Sequence, residues 1–508
     1  MDSDLPLTPT RHRRPARFTR VGWALIVAAL VGYGLLLGLH VGAYAGGSDS
    51  SGYMNHARLL GEGRIHVAPR AIPGFSAGAS NPWIYSPLGI KPAPDGNGLV
   101  PTYPAGLPLF VLLAAKIVGW RLAGDVVLWL HGMLGVLLTY AAARTFGASC
   151  RSSLIASVIV GASPLYLFMT LQAMSDVPAL VWTTAAVVAA YRSRKTGGWA
   201  IAAGAAYALA VLTRPTNALA LVPIAIALGF SARRWLGWIA GGIPGGTFFC
   251  LHSHDAYGKW LTTGYGDSAG LATQWITPTL AHYAIWLPVV FTPLVVAVIA
   301  LPLLGRGFRL EAAVLGAWIL VFAGFYSAYE FTHQTWWYLR FLLPIGPALV
   351  VGAVLAWERL AAGRLPGRRA TIASCLVLVA IYGWSAYWDA KLIVLKSGEG
   401  ERIYPRTADW VQRHLPTDAV VATMQHSGAL YYYTKLPIVR WDMLQKTDFA
   451  QLTATLASAH RPLYAVLDPW EITDQHALAD HMPGNWTQVG HVQDVLILRW
   501  SAGGDPRS

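Results

Sequence analysis

Long apolar segments alternate with short basic ones along most of the chain. Each apolar run is roughly long enough to cross a bilayer as a helix. These runs predict eleven membrane spans, near 21–43, 124–143, 152–171, 174–191, 198–213, 216–231, 235–252, 281–303, 311–329, 340–358 and 370–388. A further apolar stretch, 104–120, is short and begins with Pro104 and Pro108. The pattern is typical of a polytopic α-helical membrane protein.

The basic clusters predict the orientation of these spans. Loops rich in Arg and Lys stay in the cytoplasm. If the basic tail 1–20 is cytoplasmic, eleven crossings also place the later short basic loops in the cytoplasm. A twelfth crossing by 104–120 would move those loops to the other side of the membrane. We therefore expect 104–120 to be a juxtamembrane or re-entrant helix, the amino terminus to be cytoplasmic and the carboxyl terminus extracytoplasmic. A cleaved signal peptide is the alternative for the first span, but ordinary signal cores have only about 7–15 apolar residues.

The composition supports a membrane location, and the positive net charge does not require a nucleic-acid partner. Hydrophobic residues make up 55% of the chain and charged residues 12%, about half the charged share of a soluble domain. The net charge of +13 would indicate nucleic-acid binding in a soluble chain. Here the cytoplasmic clusters account for it, so we expect membrane lipids and no nucleic acid as partners.

Two larger segments lie outside in this topology. The first, 44–103, is rich in Gly, Pro and Ser, whereas the second, 391–508, has an ordinary composition with twelve of the 25 acidic residues. Helical and strand patterns alternate in the second segment. The predicted strands are 419–423, 438–441, 463–467 and 495–500, and the predicted helices are 405–415, 448–459 and 470–481. The sequence thus predicts a membrane domain, 21–390, followed by an extracytoplasmic α/β domain, 391–508.

Acidic residues within the membrane part fall near the predicted helix ends. Pumps and ion-coupled transporters place ionisable groups inside the membrane, where they form the transport pathway. The distribution therefore favours chemistry or binding at the outer face, and it leaves transport as the less favoured class.

Asp49 is the most informative residue at that face. It lies in the stretch Gly46-Gly47-Ser48-Asp49-Ser50-Ser51-Gly52-Tyr53, directly after the first span and at the start of a predicted helix, 50–60. By spacing alone, an N-cap is the first interpretation, because Asp commonly begins helices. Other motifs in the chain change that interpretation.

Several short motifs follow Asp49 in a characteristic order. They are Tyr103-Pro104-Ala105-Gly106-Leu107-Pro108, Met174-Ser175-Asp176-Val177-Pro178-Ala179, Thr213-Arg214-Pro215-Thr216, Trp337-Tyr338-Leu339-Arg340-Phe341-Leu342-Leu343-Pro344 and, in the tail, Gln425-His426-Ser427-Gly428 with Tyr431-Tyr432-Tyr433. With an acidic residue after the first helix, this order resembles the GT-C glycosyltransferases. These membrane enzymes use lipid-phosphate sugars, and they include protein O-mannosyltransferases and lipid A aminoarabinose transferases.

The resemblance implies a function in the cell envelope. A GT-C-like enzyme of the plasma (inner) membrane would transfer a monosaccharide, as a hexosyltransferase-type enzyme, from a polyprenyl-phosphate donor to a lipid, glycan or protein acceptor outside, with inversion. The mannosyltransferases carry an Asp-Glu pair, whereas Ser50 follows Asp49 here. We therefore expect no cofactor, and a divalent metal has no support in the sequence. The alternatives are a transporter or flippase of lipid-linked glycans and a polymerase or ligase of lipid-linked oligosaccharides.

The chemistry of such a donor needs few protein groups. A sugar on a lipid phosphate already has a good leaving group, so one carboxylate that takes the acceptor proton is sufficient. We expect Asp49 to be this general base. The departing phosphate needs cations, for which Arg340 is the first candidate and Arg58 and Lys91 are others. A membrane-interface anchor is the alternative role for Arg340.

Five further residues are candidates for a loop that holds donor or acceptor. Each of them also has an ordinary structural interpretation. Such a residue can be a solvated glutamate, the cap of a helix or part of the aromatic belt at the membrane surface. His-x-His on a helix end directs the two rings apart, so the stretch from His252 to Asp255 does not predict a shared metal. The candidates are Glu62, Tyr103, Asp176, His254 and Tyr338.

Overall fold

The computed structural model describes residues 20–265, 270–303, 306–360 and 367–502. All but the last residue of the predicted cytoplasmic tail 1–20 lies outside the described residues, as does the end of the chain from residue 503. The first three quarters of the chain is mainly helical, and the last quarter combines helices with a sheet.

Helices account for most of the first 391 residues. Short 3-10 segments connect them at 82–85, 215–220, 273–275, 293–303, 306–308 and 336–345. In chain order the helices are α1 (Arg20–His40), α2 (Ser48–Gly61), α3 (Ser76–Ser80), α4 (Gly106–Val118), α5 (Ala123–Thr145), α6 (Cys150–Gly161), α7 (Pro164–Thr170), α8 (Asp176–Arg192), α9 (Trp199–Thr213), α10 (Leu221–Leu228), α11 (Ala232–Tyr257), α12 (Ile276–Phe291), α13 (Arg309–Ser327), α14 (Gly346–Leu360) and α15 (Gly367–Lys391).

Within the described residues, five helices are long and apolar enough to cross a membrane, and the number rises to seven if each of two bent pairs forms one span. This fits a multi-pass membrane protein, while the number eleven stays a prediction. The stretch predicted to remain at the surface, 104–120, contains the 13-residue helix α4. At 1.5 Å per residue this helix is about 20 Å long, less than the hydrocarbon core of about 30 Å.

The predicted span 281–303 is broken in the structure. Helix α12 ends at Phe291, and the 3-10 segment Pro293–Leu303 continues at an angle of 111° to the preceding helix. Thr292, at the break, has a positive φ of 73°. The residue before a proline is disfavoured in helical conformation, and Pro293 directly follows Thr292. The segment predicted as one span is thus bent at Thr292, and whether it crosses as a broken span or re-enters stays a prediction.

The carboxyl-terminal part combines short helices with a mixed five-stranded sheet. Its elements are α16 (Ser397–Gly400), α17 (Ile403–His414), β3 (Val420–Ala422), α18 (Ser427–Tyr433), β4 (Ile438–Val439), α19 (Lys446–Ser458), β5 (Leu463–Leu467), α20 (Pro469–Thr473), β6 (Asn485–Val492) and β7 (Val495–Ser501). The strand order is β4-β3-β5-β7-β6, in which β3 lies parallel to β4 and β5, and β7 lies antiparallel to β5 and β6. The strands lie close to the predicted ones, apart from β6, which was not predicted. A π-helical turn, 477–481, follows α20.

The first loop packs into this sheet domain. It carries its own hairpin, β1 (Ile90–Pro92) and β2 (Leu99–Pro101). Phe75 and Ile84 of the loop belong to the same buried cluster as Trp441 and Leu452. The Arg440 amide also donates to the carbonyl of Ile84 at 2.8 Å. Residues 44–103 and 391–502 therefore form one unit, called the head below.

Candidate functional site

Asp49 lies in the first turn of α2, close to the end of α1. The helix begins at Ser48, and its N-cap residue is Gly47, which makes no side-chain cap. The N-cap interpretation of Asp49 is therefore wrong, since the carboxylate lies inside the helix and is directed elsewhere. The helix itself, Ser48–Gly61, is slightly longer than the predicted 50–60.

The Asp49 carboxylate contacts one arginine and one tyrosine. Its Oδ2 lies 2.9 Å from Nη1 of Arg340, and the two side chains are 23% and 15% exposed. The Tyr103 hydroxyl is near enough to the carboxylate to lower its pKa, and it lies 2.7 Å from Oγ of Ser48. A phenol has one hydrogen, so when Ser48 donates to Tyr103, the phenol hydrogen is free to turn toward Asp49. The structure thus brings together three candidates from separate motifs.

These contacts set the protonation state of Asp49. Burial raises the pKa of its carboxyl, but the Arg340 charge, the Tyr103 hydroxyl and the more distant Arg214 charge lower it. The balance leaves the pKa of Asp49 below its usual value. The carboxylate is therefore ionised at neutral pH, as a proton acceptor must be.

Arg340 lies in the 3-10 segment Trp336–Ile345, before α14. Its guanidinium carbon is 5.3 Å from the centre of the Phe341 ring and 5.8 Å from that of Tyr338. Its Nε is buried and has no hydrogen-bond partner among the described residues. Arg340 therefore has a donor left for a ligand beyond its bond to Asp49.

A second ion pair lies beside the first. Asp176 begins α8, and its carboxylate contacts the guanidinium of Arg214, with side-chain exposures of 1% and 13%. Arg214 also approaches the Phe341 ring, at 5.3 Å from its centre. Both guanidinium groups thus contact one aromatic ring, and the two buried pairs form one charged cluster.

Glu401, in the head, is a further acid near Asp49 that the sequence did not single out. Its Oε2 is buried without a hydrogen-bond partner in the described part of the chain. A Cβ built on Gly46 would lie 1.9 Å from this oxygen, so the glycine lets the carboxylate lie against the backbone in this position. Burial, with a smaller contribution from the Asp49 charge, raises the pKa of Glu401 to about 7. No motif indicated it, because its proximity depends on how the head folds.

The other two candidates for donor phosphate bind protein groups. Arg58 donates from Nη1 to the Tyr432 carbonyl at 2.6 Å and lies over the Tyr432 ring, 3.4 Å from its centre. Lys91 donates to the Gly264 carbonyl at 2.9 Å and lies 4.8 Å from the centre of the Tyr257 ring. Their roles in donor binding stay predictions.

The remaining candidates lie in different surroundings. Glu62 pairs with Arg64 at the surface. His254 stacks on Trp260, with ring centres 4.1 Å apart, whereas His252 directs its Nε2 to that of His56 at 3.0 Å. Among the residues that the structure describes, no three His, Cys, Asp or Glu side chains are grouped so that they could hold a metal ion.

Comparisons with known proteins bear on the fold. No family model and no curated sequence matches the chain. Among solved structures, the aminoarabinose transferase ArnT of Cupriavidus metallidurans is 14% identical with a TM-score of 0.59, and the match covers 95% of this chain and 98% of ArnT. That protein is a GT-C glycosyltransferase. This chain has the GT-C fold.

Two other GT-C proteins support this assignment. The Archaeoglobus fulgidus oligosaccharyltransferase is 11% identical with a TM-score of 0.53, and the match covers 89% of this chain and 70% of that one. The mycobacterial arabinofuranosyltransferase AftD is 14% identical with a TM-score of 0.52, and the match covers 96% of this chain and 40% of AftD. The resemblance inferred from the motifs is thus confirmed at the level of the GT-C fold.

Proposed function

We propose that this protein is a glycosyltransferase that moves a monosaccharide from a polyprenyl-phosphate donor to an extracytoplasmic acceptor, with inversion. The observation that carries the proposal is the ion pair between Asp49, in the first turn of α2, and Arg340, in the segment before α14. The GT-C fold supports it, and the similar ArnT structure has undecaprenyl phosphate bound.

In this mechanism Asp49 is the general base. Its carboxylate takes the proton of the acceptor hydroxyl while the acceptor oxygen attacks the anomeric carbon on the face opposite the phosphate. The bond from that carbon to the phosphate oxygen breaks, and polyprenyl phosphate leaves. Because the leaving group is a stable anion, no acid has to protonate it. Arg340 neutralises the charge that develops there, an effect worth several kcal/mol, about 3 in comparable sites.

Arg340 also connects donor binding to the basicity of Asp49. In the resting pair, the Arg340 charge holds the pKa of Asp49 low, which makes the carboxylate a weak base. A donor phosphate competes for the same guanidinium, and bidentate phosphate binding suits arginine. When Arg340 turns to the phosphate, the pKa of Asp49 rises and its carboxylate accepts a proton more readily.

We further propose that the reaction needs no divalent metal. Asp49 and Asp176 each pair with a guanidinium that supplies the positive charge a metal would provide. A chelator such as EDTA should therefore leave the transfer rate unchanged. A rate that falls with EDTA and returns with added Mg²⁺ or Mn²⁺ would contradict this part of the proposal.

The test uses purified protein with labelled polyprenyl-phosphate sugars and a membrane extract as the source of acceptors. Wild type should move label to a new product, and Asp49→Asn should lose transfer while its thermal melting stays the same. Asp494→Asn, an exposed acid in the turn between β6 and β7, is the matched control and should transfer normally.

Four outcomes count against the proposal. Full transfer by Asp49→Asn would remove Asp49 as the base. A product whose anomeric configuration matches the donor would exclude single-step inversion. Labelled lipid that crosses a liposome membrane without any new glycosidic bond would favour a flippase or transporter, and transfer of a whole oligosaccharide would favour a polymerase or ligase.

A further inference from the structure

The head contains a large cavity away from Asp49. Its volume is about 810 Å³, within the range of small-molecule sites. The carboxyl-terminal end of α2 and the loop after it form one side, and the ends of α17 and α18 form the other. The cavity thus lies between the two chain segments that make up the head.

The lining is basic and aromatic. Four basic side chains and one acid, Glu62, line it; Arg64 pairs with Glu62, and the three remaining positive charges attract anions. The amide nitrogens of Asn55 and Gln412 donate to the carbonyls of Gly428 and Tyr433, which leaves the two amide oxygens as acceptors for sugar hydroxyls. The basic and aromatic lining residues are Arg58, Arg64, Arg70, Lys435, Tyr431, Tyr432 and Tyr433.

Two of the arginines are held in place by the protein. Arg58 is fixed on the Tyr432 ring and carbonyl. Arg70 donates to the carbonyls of Thr434 and Tyr431, both at 2.9 Å, and lies 3.9 Å from the centre of the Tyr431 ring. A guanidinium has five N–H groups, so each fixed arginine keeps further donors. An anion would meet positive charges whose positions are already set.

The cavity is too far from the Asp49 pair to hold the same phosphate. Asp49 lies in the first turn of α2 and Arg58 in its last. Nine residues of α-helix separate them, a rise of about 14 Å. The donor phosphate has to reach Arg340, so an anion at Arg58 belongs to another part of the substrates.

We propose that this cavity binds an anionic carbohydrate, a sugar that carries a phosphate or a carboxylate, as part of the acceptor. The basic groups would bind the anion, with Arg64 exchanging its partner Glu62 for the ligand, while the volume and the amide oxygens suit the sugar ring. The acceptor role rests on the proposed transferase function, whereas the binding site itself is tested without transfer.

The binding test uses wild-type protein in phosphatidylcholine nanodiscs and calorimetric titration with three soluble probes. Glucose 1-phosphate and glucuronate are the anionic probes, and glucose is the neutral control of the same size. At least one anionic sugar should bind at least tenfold more tightly than glucose. Equal affinity for all three probes would overturn the proposal.

Variants then locate the binding. The double variant Arg64→Gln with Lys435→Gln changes two exposed lining residues. It should lower the affinity for the anionic sugar at least tenfold. The double control Lys446→Gln with Arg499→Gln makes the same charge change at exposed positions of the head outside the lining, and it should bind normally. Ala68→Trp, which places a bulky side chain in the lining without a charge change, should also weaken binding. Equal losses in the control variant, or normal binding by Ala68→Trp, would overturn the site.

Two further arms separate sugar binding in the cavity from catalysis at Asp49 and from lipid binding. Asp49→Asn should bind the anionic sugars as wild type does, even though it loses transfer. If wild type binds them but transfers no sugar to any acceptor, the acceptor role is overturned together with the proposed function. If phosphatidylglycerol in the nanodisc abolishes binding of the soluble probes, the cavity holds a lipid headgroup and the proposal is overturned.

Discussion

Asp49 Oδ2 and Arg340 Nη1 lie 2.9 Å apart, although most of the membrane part of the chain separates the two residues in sequence. Asp49 follows α1, and Arg340 precedes α14. Their pairing puts a base and a phosphate-binding cation at one point of the fold. Because each group neutralises the other at rest, replacing either one changes the charge that its partner experiences.

Replacing Arg340 should slow transfer strongly. Arg340→Gln keeps a polar side chain but removes the positive charge, and loss of such a group lowers kcat by about 10²–10³. Arg340→Lys should recover part of the rate, since it restores charge but not the two-pronged geometry. Initial rates at saturating donor measure both variants. If Arg340→Gln keeps the wild-type rate while folding normally, Arg340 serves only as an interfacial anchor.

The same substitution should shift the pH dependence of transfer. Activity requires ionised Asp49, and the Arg340 charge lowers the pKa of its carboxyl. The acid limb of kcat/KM reports this group in the free enzyme. In Arg340→Gln that limb should therefore move to higher pH. An unmoved acid limb would mean that a different group titrates there.

Separating Asp176 from Arg214 should destabilise the protein. Asp176→Asn leaves a buried guanidinium without its counter-charge, and breaking such pairs costs about 3–5 kcal/mol. Asp176→Leu combined with Arg214→Met removes both charges and should recover much of the loss. Thermal unfolding in one detergent compares the variants with wild type. Equal melting temperatures for the single and double variants would show that the pair contributes no coupling to stability.

Glu401 should make stability depend on pH. Its pKa is raised from 4.5 to about 7 in the folded protein, so the folded state binds the proton more tightly than the unfolded state. Its favourable contribution is complete below pH 4.5 and is lost as pH rises to about 7, with a total of roughly 3 kcal/mol at most. Glu401→Gln removes this loss. Its melting temperature should exceed that of wild type by more at pH 8 than at pH 5.

Glu399→Gln is the control for that comparison, because Glu399 is an exposed acid two residues away. It should show the same difference from wild type at both pH values. A constant difference for Glu401→Gln as well would mean that its carboxyl titrates normally. Melting curves recorded by intrinsic tryptophan fluorescence in one detergent allow the comparison.

The strands show what the sequence can and cannot predict. Strand β5 was predicted at 463–467 from its apolar run between Pro462 and Asp468, and in the structure every one of its residues is buried. Strand β6, by contrast, is an edge strand with mostly exposed and polar residues. Its sequence shows no alternation of hydrophobic and polar residues. The strand is recognised only from its pairing with β7 in the structure.

The site was predicted as separate residues rather than as an arrangement. Asp49, Tyr103 and Arg340 each belong to a recognisable motif, but their contact depends on how distant helices pack. The Asp176–Arg214 pair shows the same limit, since both residues lie in motifs for which the sequence predicted no partner. Glu401 lies in no motif, and only the approach of the chain after α16 to Gly46 brings it near Asp49.

The shared core of the head has a consequence for biosynthesis. The first loop is made early, yet its Ile84 finds its partner Arg440 only about 350 residues later. At about 5–20 residues per second, the loop waits roughly 20–70 seconds after its own synthesis. During that time its apolar side chains are uncovered outside the membrane, where chaperones and proteases act. Chains that stop before residue 391 should therefore insert but be degraded, since they lack the segment that shields the loop.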